Sequence, residues 1–188
     1  MGSANAPFGL RPAYHPSGLD RAQALTNGIA SGYTTDILKG APVKYTTSGT
    51  LNVLTSTEAF AGAFAGVEFT DSTGRRRVSN YWPASTVATN IIAYFYNDPL
   101  IVYEIQADGV VAQTAIGDNA NFSNLTAGST TTGLSQCTMS SSLTGSSAYG
   151  QLRIVDIAPY PDNAWGDAYT VVRVTMALHQ FVAPLNAI

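Results

Sequence analysis

Between Tyr33 and Leu178 no stretch carries an apolar stripe of period 3.6 over three helical turns; short apolar runs alternate instead with clusters of turn-forming residues. A surface helix buries itself through such a stripe, so its absence rules out helical packing as the main source of a core. Pro42–Tyr45 and residues 51–54 flank Thr-Thr-Ser-Gly-Thr, the pattern of a hairpin. Residues 60–70 are rich in Phe, Val and Gly, and Asp71-Ser72-Thr73-Gly74 turns them into 75–81. Residues 91–96 and 100–106 are separated by Asn97-Asp98-Pro99, and Asp108-Gly109 precedes 110–113. The last strong runs are Leu152–Ile157 and 169–178. Residues 84–93 offer the best helix candidate, but their Thr and Val content makes it a poor one. Short strands at this spacing predict an all-β, single-domain β-barrel or jelly-roll-like sandwich around one core, with a strand order that periodicity does not reveal.

Charge is the second constraint. Only 11% of the 188 residues are charged, against about 25% in an average soluble domain. Disorder does not explain this, because disordered chains combine low hydrophobicity with high net charge, whereas 45% of this chain is hydrophobic and its net charge is −3. Either the surface is neutral and hydroxyl-rich, or partners cover part of it. The deficit is concentrated in residues 109–150, where Asp118 is the only charge; long surface loops and a neutral face for neighbours both fit. A sequence pI near 5.1 argues against nucleic acid as a partner, with Arg75-Arg76-Arg77 as the local exception. That triplet reads either as a solvated strand edge or as half of an ion-pair contact.

The sequence offers little for catalysis. His15 and His179 lie near opposite ends of the chain, and no Gly-x-Ser-x-Gly elbow is present. His15 sits in a Pro-rich stretch ill suited to a rigid triad, and His179 reads as a surface histidine at a strand end. The single cysteine, Cys137, excludes an internal disulfide and a multi-thiolate metal site, and reads as a half-buried strand residue. Asp156, Asp162 and Asp167 do not have the spacing of an EF-hand loop. No P-loop is present, and the sequons at Asn121 and Asn124 reflect Ser/Thr richness. The expectation is no catalytic, cofactor-binding or metal-binding residue. No secretory leader or myristoylation signal is read at the N-terminus, and the apolar runs 59–67 and 91–96 are far shorter than the ~20 residues a membrane helix needs, so no membrane partner is expected.

Residues 1–30 differ from the rest. Pro7, Pro12 and Pro16 are interspersed with Phe8, Leu10, Tyr14 and Leu19, which follow neither a helical nor a strand period. This predicts an extended N-terminal arm (1–30) ahead of a β-domain (31–180) and a C-terminal tail (181–188). The opening Ala4-Asn5-Ala6-Pro7-Phe8-Gly9-Leu10-Arg11-Pro12 resembles the start of the capsid cement or decoration proteins of tailed bacteriophages. Phe64-Ala65-Gly66-Val67-Glu68-Phe69-Thr70-Asp71 with Ser79-Asn80-Tyr81-Trp82-Pro83 is similar to the central part of that class. So are Asn97-Asp98-Pro99 with residues 103–109, and the stretch from Leu152 through Pro161-Asp162-Asn163 to His179-Gln180.

The resemblance implies a β-barrel or jelly-roll-like domain that binds the outside of an icosahedral capsid and strengthens it. The implied partners are the major capsid protein and further copies of the chain, as a dimer or trimer. The implied location is the capsid exterior, after synthesis in the host bacterial cytoplasm. It carries no catalytic residues. Phe8, Leu10, Arg11 and Tyr14 of the arm are the first capsid-contact candidates, and Arg75, Arg76 and Arg77 the second. Removing residues 1–20 is then expected to weaken shell binding and leave the β-domain folded. Rival readings are a carbohydrate-binding module using Trp82 and Trp165 as stacking platforms, and a head–tail or tail component.

Overall fold

The computed structural model describes residues 4–18, 21–145 and 148–184. Its strands are β1 (Arg11–Tyr14), β2 (Gln23–Thr26), β3 (Pro42–Tyr45), β4 (Leu51–Val53), β5 (Gly62–Asp71), β6 (Arg76–Ser79), β7 (Ala88–Tyr96) and β8 (Val102–Gln106). They continue with β9 (Asn119–Ala120), β10 (Phe122–Ser123), β11 (Gly128–Ser129), β12 (Leu134–Ser135), β13 (Thr138–Met139), β14 (Leu152–Ile157) and β15 (Val171–Met176). Among the described residues the only helical turn is a 3-10 turn at Gln113–Ala115. The expected all-β class is what forms. Residues 84–93, the helix candidate, run into β7, where Thr89, Ile91 and Ile92 suit a pleated surface.

Two main sheets hold the molecule. The first has the order β1-β8-β15-β14-β9, and the second β2-β7-β5-β3-β4 with β6 also paired to β5. Every ladder in both is antiparallel. The expected hairpin is β3–β4, with Val43 opposite Val53, and the Asp71–Gly74 turn joins β5 to β6. Two-residue ladders, β10–β13 and β11–β12, tie down the charge-poor stretch.

The buried side chains form two clusters where the sequence suggests one core. One contains Leu10, Leu54, Phe60, Tyr103, Ile105 and Val172, the other Val43, Phe64, Phe69, Trp82, Ile91 and Phe95. The chain entering β5 serves both: Phe60 and Ala63 point into the first, Ala61 and Phe64 into the second. Strict alternation would put Ala61 and Ala63 on the same side. Gly62 breaks it, with φ +153°, a backbone conformation that glycine adopts at little cost.

The N-terminal segment is extended but built into both sheets. β1 forms the edge of the first sheet against β8, where Pro12 lacks the N–H that an inner strand would require. β2 forms the edge of the second against β7, and Leu10 between them and the N-terminus is 0% exposed. Deleting residues 1–20 would therefore strip a core side chain and an edge strand, so that truncation cannot isolate shell binding from folding. Leu19, one of the arm's apolar residues, lies outside the described residues. The tail is anchored through Gln180, whose amide Nε2 donates to the Tyr45 carbonyl (3.1 Å) and whose Oε1 accepts from the Tyr45 N–H (2.7 Å). Phe181 packs on the Tyr45 ring at 5.3 Å; residues 185–188 of the expected tail lie outside the described residues.

The stretch 109–150 is mostly loops around very short strands. Val111, Ala115, Ala120, Phe122, Cys137 and Met139 nevertheless fill the first core. Burial accounts for the lack of charge at those six positions, where a charge would be unpaired, but not at the exposed positions around them.

Candidate functional site

On the outer face of the first sheet, cross-strand pairing sets four charges in a row. Arg11 of β1 stands opposite Glu104 of β8, Glu104 opposite Arg173 of β15, and Arg173 opposite Asp156 of β14. Glu104, 7% exposed, is the centre of this row. Its Oε2 accepts from Arg11 Nη2 (2.8 Å) and from the Tyr160 hydroxyl (2.5 Å), while Arg173 Nε lies 3.6 Å from its Oε1. Burial alone would raise the Glu104 pKa, but Tyr160, Arg11 and Arg173 outweigh it and hold the carboxyl below its usual value. The Arg11 guanidinium stacks over Phe8 at 4.2 Å, and that of Arg173 over Tyr14 at 5.4 Å. Two residues further along β8, buried Gln106 donates from Nε2 to the Ala4 carbonyl (2.8 Å) and accepts the Ala6 N–H at Oε1 (2.9 Å). Together Glu104 and Gln106 strap residues 4–14 to the sheet.

This geometry sorts the four arm candidates. Leu10 is a core residue and cannot contact a partner without unfolding. Phe8 is half-buried beneath Arg11, and Arg11 is held by Glu104 and Tyr160. Tyr14, 45% exposed, is the member of the four most open to solvent with an aromatic face to offer. Glu104, Gln106, Tyr160 and Arg173 were not singled out from the sequence. Their one signal was the Glu and Gln inside the otherwise apolar run 100–106, positions that only an opposing charge or a backbone strap makes tolerable.

The arginine triplet lies on the β5–β6 hairpin. Asp71 Oδ1 accepts from Thr73 N (2.9 Å), Thr73 Oγ1 (2.6 Å) and Arg75 N (3.0 Å), and its Oδ2 accepts from Arg77 Nε (2.7 Å). The Thr73 hydroxyl and Arg77 beside it hold the Asp71 carboxyl far below the ordinary range. Arg76 pairs with Glu68, which also accepts from the Tyr94 hydroxyl at 3.0 Å. Arg76, Arg77 and Val78 are all exposed on a short edge strand, Val78 at 77%. The hairpin thus presents three guanidinium groups with two internal counter-charges. The arm cluster and the triplet belong to different sheets.

The remaining candidates resolve as follows. Ser17 Oγ lies 2.6 Å from His15 Nδ1, and Asp98 Oδ2 lies 3.3 Å from His15 Nε2, which brings a Ser, a His and an Asp together after all. The Ser17 backbone N–H also points at Nδ1 (3.0 Å), so amide and hydroxyl share one ring lone pair. That is the geometry of a local turn cap, two residues wide. Cys137 is fully buried and lies outside any strand; burial pushes its thiol up to about 11, which leaves almost no thiolate at neutral pH. Trp82 is 0% exposed and stacks edge-on against Phe69 at 5.3 Å, and Trp165 packs against the first core, so Trp82 cannot act as a stacking platform. Asp167 Oδ2 accepts from Ala164 N at 2.8 Å, a turn contact. Among the described residues no group of three His, Cys, Asp or Glu side chains could hold a metal ion. Among the described residues no helix is long and apolar enough to cross a membrane.

His179 departs most from expectation: it is buried, not a surface residue. Its Nδ1 accepts the Phe181 N–H (3.1 Å), which leaves the proton on Nε2, 3.2 Å from the Ala61 carbonyl. Burial lowers its pKa, against smaller opposing contributions from the Ala61 and Asn97 carbonyls and Asp98. A histidine whose folded pKa is depressed binds a proton more readily when unfolded. Stability is therefore expected to be complete above about pH 6.5 and to fall as pH drops from there through the lower folded value. Thermal melts from pH 7.5 to 5 would show this decline, and His179→Gln should flatten it; a slope unchanged by the substitution would contradict the assignment.

The molecule is an all-β protein of two main antiparallel sheets and two small two-stranded ones, with a strapped N-terminal segment on one main sheet and an arginine hairpin on the other. No family model, curated protein or solved structure matches the chain.

Proposed function

We propose that this chain is a structural component of a bacteriophage particle that binds the outside of an icosahedral capsid and stabilises it. The observation that carries the reading is the β5–β6 hairpin, an exposed edge bearing Arg75, Arg76, Arg77 and a bare Val78. Arg76 and Arg77 have internal carboxylate partners in Glu68 and Asp71, and the third guanidinium of the hairpin is the one suited to pair with an acidic neighbour. The sequence resemblance to decoration proteins supports the same reading. So does the low total charge, which suits a protein with part of its surface against neighbours. Contact would run through Tyr14 and the hairpin, each weak alone and reinforced by repetition over many copies.

The test is sedimentation of purified chain with shells that lack it. Arg75→Ser/Arg76→Ser/Arg77→Ser and Tyr14→Ala are expected to lower shell occupancy at least tenfold, with thermal unfolding of the free protein little changed. Occupancy identical to wild type in both variants would sink the proposed contact surface. Abundance in particles separates the rival structural role: hundreds of copies indicate a shell protein, about a dozen a head–tail component.

A further inference from the structure

A cleft of about 370 Å³ is lined from both main sheets, by Pro12 of β1 on one side and by Phe64 of β5 and Tyr96 of β7 on the other. Its volume lies within the range of small-ligand sites, about 300–1,000 Å³. Leu10 and Phe64 are buried and form its floor, while half-buried Pro12 and Tyr96 and the exposed Leu134 form its sides. The lining is therefore mainly apolar.

Main-chain bonds hold these walls in place. The Leu10 N–H donates to the Gly40 carbonyl (2.8 Å), and the Gly40 N–H donates to the Phe64 carbonyl (2.8 Å). At the exposed side, the Lys39 N–H donates to the Gly133 carbonyl (2.9 Å), and the Lys39 carbonyl accepts from the Ser135 N–H (2.9 Å). These two bonds clamp the Lys39 backbone beside Leu134. The backbone that carries the lysine is thus fixed before any ligand arrives.

Charge decides what the cleft can take. Two cations line it, Arg11 and Lys39, and no carboxylate does. Arg11 is taken up by Glu104 and Tyr160 and lies over the Phe8 ring. Lys39 has no such partner: among the described residues no carboxylate forms an ion pair with it. A cationic ligand is repelled, and a polyanion would find only one ammonium without a counter-charge. A small, fully hydrated anion would gain nothing from the apolar floor. One negative charge on an apolar body uses both parts of the lining.

We propose that this cleft binds a small monocarboxylate with an apolar chain, the carboxylate at Lys39 and the chain against Leu10, Phe64 and Leu134. The site goes beyond capsid binding and does not rest on it. It uses none of the guanidinium groups of the β5–β6 hairpin.

The experiment is a titration of the full-length ¹⁵N-labelled chain with sodium octanoate, sodium butanoate and 1-octanol in turn, read as amide shifts. Octanoate is expected to give saturable shifts in the millimolar range at residues 10, 39, 40, 64, 96 and 134. Butanoate, with four fewer methylenes to bury, should bind at least tenfold more weakly. Lys39→Met removes the charge from an exposed side chain and leaves the main-chain clamp untouched, so its melting temperature should match wild type. That variant should bind octanoate about fivefold more weakly, the scale of an exposed ion pair, and 1-octanol as well as wild type does. Octanoate shifts absent from the cleft, or scattered over the surface without saturating, would overturn the proposal. So would butanoate binding as tight as octanoate, or octanoate affinity undiminished in folded Lys39→Met. None of these results bears on shell occupancy, which is measured separately.

Discussion

Gly62→Ala is expected to destabilise the protein by about 4 kcal/mol or more, a large part of the roughly 5–15 kcal/mol by which an ordinary domain is stable. A Cβ at this position would sit 1.8 Å from the Tyr96 carbonyl oxygen, and the obstructing atoms belong to the β7 end and cannot swing aside. The φ of +153° adds strain for any side chain. The position also shifts the strand's alternation, so relieving the clash by moving β5 would misplace Phe60 and Ala63 in one cluster or Ala61 and Phe64 in the other. Gly49→Ala is the control: its φ is +76° in the β3–β4 turn, but nothing lies within 4 Å of the added carbon. That change should cost only about 1–2 kcal/mol. Urea unfolding of the two variants checks both values, and a Gly62→Ala protein as stable as Gly49→Ala would refute the argument.

The second large effect is at Glu104. Removing one partner of a fully buried ion pair costs about 3–5 kcal/mol, because the other charge is left desolvated. Here Arg11 is half exposed and can turn to water, so Glu104→Ala is expected to cost about 2 kcal/mol, with Arg173 and Tyr160 carrying most of the loss. The effect should be local as well as global: hydrogen exchange of residues 6–14 is expected to accelerate far more than that of β5 or β7. The pH dependence has a definite sign. A carboxylate whose folded pKa is lowered contributes stability that is present above its unfolded value, about 4.3, and is lost as pH falls through the folded value. Acid should therefore loosen the strap, and Glu104→Gln should remove that dependence. Equal exchange rates at residues 6–14 in wild type and Glu104→Ala would show that the carboxylate does not hold the strap.

The strand runs were legible because alternation and turn chemistry are local. Pro42–Tyr45, the Asp71–Gly74 turn and Leu152–Ile157 each declare themselves within about ten residues. The burial of His179 was not legible. Its neighbour Gln180 is held by hydrogen bonds to Tyr45, 135 residues away, and nothing near position 179 records that. The Ser17–His15–Asp98 grouping was likewise invisible, since Asp98 reaches His15 only after β1 has paired with β8. What holds the arm was not legible either. Its prolines and lack of period read as an extended segment, and one buried Leu10 and the two straps from Glu104 and Gln106 bind it to the sheet.

Sequence alone determined the all-β class, the absence of helical packing, the hairpin turns and the neutrality of residues 109–150. These follow from backbone preferences and side-chain type, which act over a few residues. Tertiary structure decided that the core splits in two at Gly62, that the N-terminal segment joins both sheets, and that Arg11 and Arg173 from the two flanking strands meet at Glu104. It also decided which aromatics face solvent, hiding Trp82 and leaving Tyr14 open. Each of these depends on strand register, and register is set by contacts between residues far apart in the chain.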